Sequence, residues 1–352
     1  MTLYRSYTDI TFTCGVTALN QPNDIPAPNL PIDDKGWTKT IIWSLIGIIF
    51  LGYLLGVYWG LEPDRREINK NVEQVRGVEL VDSLIYVVDT LLEKPGGFLG
   101  NDVTPPTVFL DNMPAFEYGA IIQARDLTRS LRKEFSRSQS QSVEQQDLKI
   151  AEPKIYIAHR NWALPSAEGE YSDSVEALKR YRNKLSDPAQ TDSQFYARAD
   201  NLREWLGEVS NRLGSYSQRL SASVGQDRVN TDLAGDAAAS QSTMTSSSVV
   251  VKTPWFKIDD EFYEARGACW ALIQFLHAVE VDFADVLEKK NAQASLQQII
   301  RELEATQETV WSPMILNGGG FGFVANHSLV MASYISRANA AMIDLRELLS
   351  QG

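Results

Sequence analysis

The sequence predicts a mainly α protein: one N-terminal transmembrane helix followed by a large helical-bundle domain with long heptad-patterned helices. Two observations carry that prediction. Residues 41–61 read IIWSLIGIIFLGYLLGVYWGL, without a side chain charged at neutral pH. At 1.5 Å rise per residue such a run reaches about 30 Å, the thickness of a bilayer's hydrocarbon core. Beyond it, apolar residues recur at alternating threes and fours in three long stretches, the spacing that holds one seam of a helix against a neighbour. The chain therefore divides into a flexible tail (1–39), a transmembrane helix (40–61) and a helical soluble domain (62–352) with a mobile loop at 221–253.

The tail has prolines at 22, 26, 28 and 31 and no helical period, so it is read as unstructured. The span is too long and starts too late for a signal peptide, and Gly60-Leu61-Glu62-Pro63 offers no small-x-small cleavage site. Gly52, Gly56 and Gly60 fall on one stripe of it, with Ser44 and Ile48. Small residues one turn apart let a second helix approach closely, so this stripe is the expected packing face, towards a second copy or another anchor. Basic residues flank both ends: Arg5, Lys35 and Lys39 before it, Arg65, Arg66, Lys70 and Arg76 after it. That count leans weakly towards a cytoplasmic domain. Lone N-terminal anchors more often keep a short tail inside, and long domains translocate largely regardless of charge, so the domain is expected in the periplasm.

After the membrane, Val75, Val78, Val81, Ile85, Val88 and Leu92 mark a helix, and a second row at Leu80, Leu84, Val87 and Leu91 predicts burial on most sides. Pro95-Gly96-Gly97 ends it, and Pro105-Pro106 keeps the next stretch extended. Another helix starts at Pro114 and runs to Phe135. Lys154–His159 alternates like a short strand, and Leu164-Pro165-Ser166 opens a further helix with Pro165 near its first turn. The three seams come next. They run from Phe195 to Leu220, from Ile258 to Val286 and from Met331 to Leu349. Apolar residues off the second seam, Trp270, Ile273 and Phe275, favour packing inside one bundle over an intermolecular coiled coil. Ser221–Ser248 is rich in Ser, Ala, Gln, Asp and Gly, too polar to offset its ordering entropy, and reads as a mobile loop between antiparallel helices.

Composition and motifs narrow the chemistry. The net charge is −12, so the soluble part is expected to repel nucleic acid and anionic lipid rather than seek them. Cys14 lies in the tail and Cys269 in an apolar helix, so no internal disulfide is expected. His159, His277 and His327 share no ligand spacing. Glu-x-x-His pairs, His-Glu-x-x-His, Cys-x-x-Cys and a P-loop are all missing, so no metal or cofactor is expected. Ser130-Leu-Arg-Lys133 matches the Ser-x-x-Lys of penicillin-recognising enzymes but lacks the companion Lys-Thr-Gly, and reads as a surface helix pair. Gly318–Gly322 has Phe323 where a dinucleotide loop needs its third glycine. It reads as a helix-to-helix turn, with Asn326 capping the next helix.

Three segments are more distinctive: Asp111–Gly119 (DNMPAFEYG), Ser136–Ser142 (SRSQSQS) and Trp162–Tyr171 (WALPSAEGEY). With the single span and Tyr58-Trp59-Gly60-Leu61-Glu62-Pro63 behind it, they resemble an uncharacterised family of proteobacterial membrane-anchored proteins, a domain of unknown function. The likeness covers residues 40–350. It implies a Gram-negative inner-membrane location and brings no activity. Alternating Ser and Gln do not suit a helix interior, because their side chains compete with the backbone. That run is either a solvated connector or part of a polar groove or subunit contact. In the second case Asn112, Glu117, Arg125, Arg129, Ser138, Gln139, Trp162 and Glu168 are its candidate residues, with Arg125 and Arg129 on one helix face.

The expected function is a membrane-anchored structural or interaction protein whose domain binds another envelope protein. The alternative is an envelope enzyme acting on cell wall or lipid, with a polar site around residues 111–171. A small-ligand sensor ranks third, for want of an output module. A deep pocket where Glu117, Arg125, His159 or Glu168 converge favours the enzyme, and an exposed apolar surface favours the interaction protein.

Overall fold

The computed structural model describes residues 34–66, 75–138, 144–190, 193–229, 248–312, 314–318 and 324–351. Among these are ten α-helices and one two-stranded ribbon, so the mainly α prediction holds. Helix α1 (Asp34–Trp59) contains the uncharged run. Its Trp37–Trp59 stretch is long and apolar enough to cross a membrane, and its side chains are almost wholly exposed. The chain forms two compact units, Met1–Ile49 and Phe50–Gly352. The first contains the N-terminal half of α1. The second contains the rest of α1 and the bundle.

Both apolar rows of α2 (Val78–Glu93) are buried, Leu92 only partly, so this helix is enclosed on most sides, as its pattern predicts. Val75 lies ahead of it and is exposed. Gly96 and Gly97 adopt positive φ (86° and 71°), the left-handed backbone that ends a helix and that side chains disfavour. At the other end the cap is Gly77, which has no side chain to offer. Asp282, 202 residues away, accepts the Leu80 N–H at 2.7 Å instead. Burial pushes its carboxyl up to about 6, against the pull of the Leu80, Gly77 and Glu79 amides.

The Pro105-Pro106 region departs from its extended expectation: a 3₁₀ turn, Thr107–Phe109, comes directly after it. Helix α3 (Asn112–Ser130) starts two residues before Pro114, because the Asp111 carboxylate accepts the Asn112 N–H at 3.0 Å. A π-turn (Leu131–Phe135) continues it. The expected strand at 154–159 is absent. Leu148, Ala151 and Ile155 are buried at helical spacing, and α4 (Gln146–Ile155) runs through Lys154. The carbonyls of Ile155 and Ile157 accept from Arg125 rather than from a neighbouring strand. Ser166 caps α5 (Ala167–Ser186), its hydroxyl accepting the Gly169 N–H at 3.2 Å.

The heptad seams are internal. In α6 (Ala199–Ser221), Leu202, Leu206, Val209, Leu213, Tyr216 and Leu220 are buried. Phe195 precedes that helix and meets Phe135 and Phe283 at ring distances of 5.4 and 5.6 Å. Helix α7 (Ile258–Asp282) buries its seam and also Trp270, Ile273 and Phe275. Two short helices, α8 (Ala284–Lys289) and α9 (Gln293–Ala305), lead to α10 (His327–Ser350), which Asn326 caps. Met331, Ile335, Ala338, Met342, Leu345 and Leu349 of α10 are buried, and α10 lies along α6 and α9. The closest pairing is α3 on α7, where Gly119 and Gly267 let the backbones touch. The ends of the expected mobile loop pair as β1 (Gln226–Val229) and β2 (Ser248–Val251), antiparallel with Gln226 opposite Val251. Residues 230–247 lie outside the described residues.

Candidate functional site

A polar cavity of about 720 Å³ lies between the start of α3, the turn at His159–Arg160 and the start of α7. Asp111, Asp260, Glu261 and Glu264 give it a mostly acidic wall, with Arg160 and Lys257 as cations. His159 stacks on Tyr118 with ring centroids 4.2 Å apart. Burial, with Arg160 and Arg125 nearby, holds the His159 imidazole down at about 4, so it is neutral at pH 7. The sign is fixed by that depression. Below about 6.5 the unfolded chain takes up a proton that folded His159 resists, so stability should fall as pH drops from 6.5 towards 4. Unfolding of His159→Gln should lose that part of the pH dependence. An unchanged profile in denaturant titrations at pH 7 and pH 5 would remove His159 as its source.

Glu117 lies behind this cavity wall, fully buried, with Lys94 as its partner at 2.8 Å. The N–H groups of Leu99 and Gly100 donate to its carboxylate at 3.0 and 2.8 Å, and Lys94 Nζ also donates to the Gly97 carbonyl at 2.8 Å. Burial raises the Glu117 carboxyl to about 7, with Lys94 and the two amides opposing. These bonds commit the carboxylate inside the fold, so the pair fastens the 94–100 turn onto α3.

Arg125 is engaged in the same way. Its guanidinium donates to the carbonyls of Ile155 (2.8 Å) and Ile157 (2.6 Å) and to the Tyr171 hydroxyl (3.1 Å). Arg129, on the same helix face, reaches Glu208 at 3.3 Å. Asn112 sits in the first turn of α3, and its side-chain oxygen is buried without a hydrogen-bond partner. Trp162 and Glu168 are exposed. Ser138 borders a different cavity, of about 580 Å³, with Arg132, Glu144 and Arg198, and its carbonyl accepts from Arg198 at 3.2 Å. Gln139 lies outside the described residues. The structure thus brings Arg125 and Arg129 together, sets Glu117 behind the cavity, and distributes the rest. Along the glycine stripe, Gly52 has open space where a Cβ would stand. The Cβ position of Gly56 meets Leu110 Cδ2 at 3.5 Å, and that of Gly60 meets backbone carbonyl oxygens.

Ser130 is buried while Lys133 is exposed, so this pair is not the surface pair its spacing suggested. Cys269 is buried, and burial pushes its thiol up to about 12, far from a nucleophile's range. No group of three or more His, Cys, Asp or Glu among the described residues is placed to hold a metal ion.

Sequence reasoning missed a second site. An apolar cleft of about 360 Å³ lies between α7, the end of α9 and α10, walled by Phe262, Val310, Met331 and Tyr334. Trp311 stands at it 93 % exposed, with Val330 beside it half-exposed. Arg266, itself buried, borders the cleft. It binds Glu62 at 2.7 Å and the carbonyls of Thr306, Gln307 and Glu308 at 2.8, 3.1 and 2.8 Å. A cation suits those carbonyls at the α9 C-terminus, and the same side chain ties the segment after α1 to the bundle. The available signal was an arginine inside an otherwise apolar helix pattern.

Fold and surface define a helical bundle carried behind one helix fit to cross a membrane. The chain belongs to the family described as an uncharacterised protein conserved in bacteria (DUF2333), whose model matches residues 32–352. No curated protein and no solved structure matches it.

Proposed function

We propose that the protein is a structural or interaction protein of the bacterial inner membrane. In this reading α1 is the anchor, the helical domain faces the periplasm, and the cleft beside Trp311 binds another envelope protein. The observation that carries it is the cleft itself: a large aromatic side chain left in water over an apolar wall. Central aromatic anchors in apolar pockets are the usual sources of binding energy at protein interfaces. The envelope-enzyme alternative rests on the acidic cavity, but Glu117 and Arg125 are committed to internal bonds and Glu168 is exposed.

One experiment addresses both orientation and partner. Thr309→Cys, at an exposed position of the same cleft, leaves Trp311 in place and is made in a Cys14→Ser background. It is treated, on intact spheroplasts, with a membrane-impermeant benzophenone maleimide and then irradiated. The expected result is labelling followed by a discrete protein adduct, absent when Val330→Glu is added. Labelling only after the inner membrane is broken would overturn the periplasmic placement. Labelling without an adduct would overturn the partner site.

A further inference from the structure

The rim of the acidic cavity carries apolar side chains as well as charged ones. Three segments build that rim. Val103, Val108 and Leu110 come from the stretch after α2, His159 and Arg160 from the turn before α5, and Lys257 from the turn before α7. The first two are also joined directly, Asn101 donating to the Asn161 carbonyl at 3.1 Å. Each segment leaves large apolar side chains in water: Phe109 (78 %), Trp162 (65 %) with Leu164, and Phe256 (88 %) with Trp255. Scattered single residues of this kind are ordinary, but three neighbouring turns that all do it form a patch that marks a contact surface.

The position of the patch identifies its cover. Leu110, adjacent in sequence to Phe109, meets the Cβ position of Gly56 at 3.5 Å, and the Trp59 ring lies against Gly96. Gly56 belongs to the uncharged run, three residues before the end of α1, or about 4.5 Å along the axis. Whatever packs beside Gly56 shares its depth. If α1 crosses the bilayer, the turn Thr107–Phe109 lies in the bilayer interface, where aromatic side chains concentrate.

We propose that the exposed apolar side chains beside this rim, Val108, Phe109, Trp162, Leu164 and Phe256, dock into the lipid interface around α1, holding the domain against the membrane surface. The partner is the bilayer itself. The inference rests on reading α1 as a membrane span, and the test separates the two.

Single cysteines are placed at Phe109, Phe256, Tyr53 and Ile343 of the full chain carrying Cys14→Ser, with buried Cys269 left in place. Each is labelled with a nitrobenzoxadiazole fluorophore, and the chain is reconstituted into phosphatidylethanolamine–phosphatidylglycerol vesicles with or without doxyl-labelled lipid. Positions 109 and 256 should shift to the blue and be quenched about twofold or more, as expected of side chains at the acyl boundary. Ile343, exposed on α10, should stay unquenched. Quenching at Tyr53 with none at 109 or at 256 would overturn the docking and leave the span standing, as would be found if a protein, missing from these vesicles, covered the rim. No quenching at Tyr53 would overturn the span and the docking together.

Discussion

Lys94→Met should lower the melting temperature sharply, because it leaves the Glu117 carboxyl without its cation in a site closed to water. The two side chains are 2 % and 0 % exposed, and they meet at 2.8 Å. Removing one partner of a buried pair costs about 3–5 kcal/mol, which in a domain of this size is a fall of roughly 6–20 °C. Glu117→Leu combined with Lys94→Met should recover much of the loss, since two apolar groups leave no charge to strand. The two Leu99 and Gly100 N–H donors left behind make recovery incomplete. The loss should also depend on pH. A carboxyl raised from 4.5 to about 7 binds its proton in the folded state first, so its contribution to stability declines as pH rises through that window. Without Lys94 the window extends upward, and Lys94→Met should be less harmful at pH 5 than at pH 8. Thermal unfolding by circular dichroism at both values measures it. Equal losses at the two values would mean that Glu117 does not change protonation on folding.

The sequence made this pair only half visible. Glu117 stood out because Asp111–Gly119 departs from a plain amphipathic helix, yet nothing local says whether such a carboxylate faces a groove or a buried lysine. Periodicity reports which side of a helix is covered. That is why both rows of α2, the seams of α6, α7 and α10, the helix start near Ser166, the Asn326 cap and the Pro-Gly-Gly stop were readable. It does not report the partner when the partner is distant in the chain. The N-cap of α2 comes from Asp282, the donor to the Ile155 and Ile157 carbonyls is Arg125, and the clasp on the segment after α1 is Arg266. The strand reading of 154–159 failed for the same reason: six alternating residues fit a strand, but the tertiary setting supplied a guanidinium and no neighbouring edge. The Trp311 cleft was hidden because it forms between elements separated in sequence. Conversely, the small residues Gly52, Gly56 and Gly60 were legible as a stripe, while Leu110 against Gly56 was not.

Gly267→Ala should destabilise the bundle where the same change elsewhere on a helix would help. An alanine in a helix interior is intrinsically about 1 kcal/mol better than glycine. At Gly267, however, the added Cβ would stand 1.9 Å from the Phe116 carbonyl oxygen, and at Gly119 a Cβ would stand 1.9 Å from the Glu264 oxygen. Both obstacles are backbone, so no side chain can rotate away. To reach ordinary contact near 3.4 Å, α3 and α7 must part by 3.4 − 1.9, or about 1.5 Å. That opening loosens Phe116 against Trp270, whose rings lie 5.7 Å apart, and the Glu117 carboxylate one residue on. Overpacking of a tight core costs about 1–3 kcal/mol and sometimes more. It should exceed the propensity gain here, leaving a net loss of about 1–2 kcal/mol at either position and a larger one for Gly267→Val. Gly214 supplies the control, because its Cβ position in α6 meets only Asn339 Nδ2, at 3.6 Å. Gly214→Ala should be neutral or stabilising by up to about 1 kcal/mol. Denaturant unfolding of the three alanine variants in parallel decides the matter. If Gly267→Ala and Gly119→Ala are as stable as Gly214→Ala, the α3–α7 backbones do not touch, and the close crossing that sets Glu117 behind the cavity wall must be abandoned.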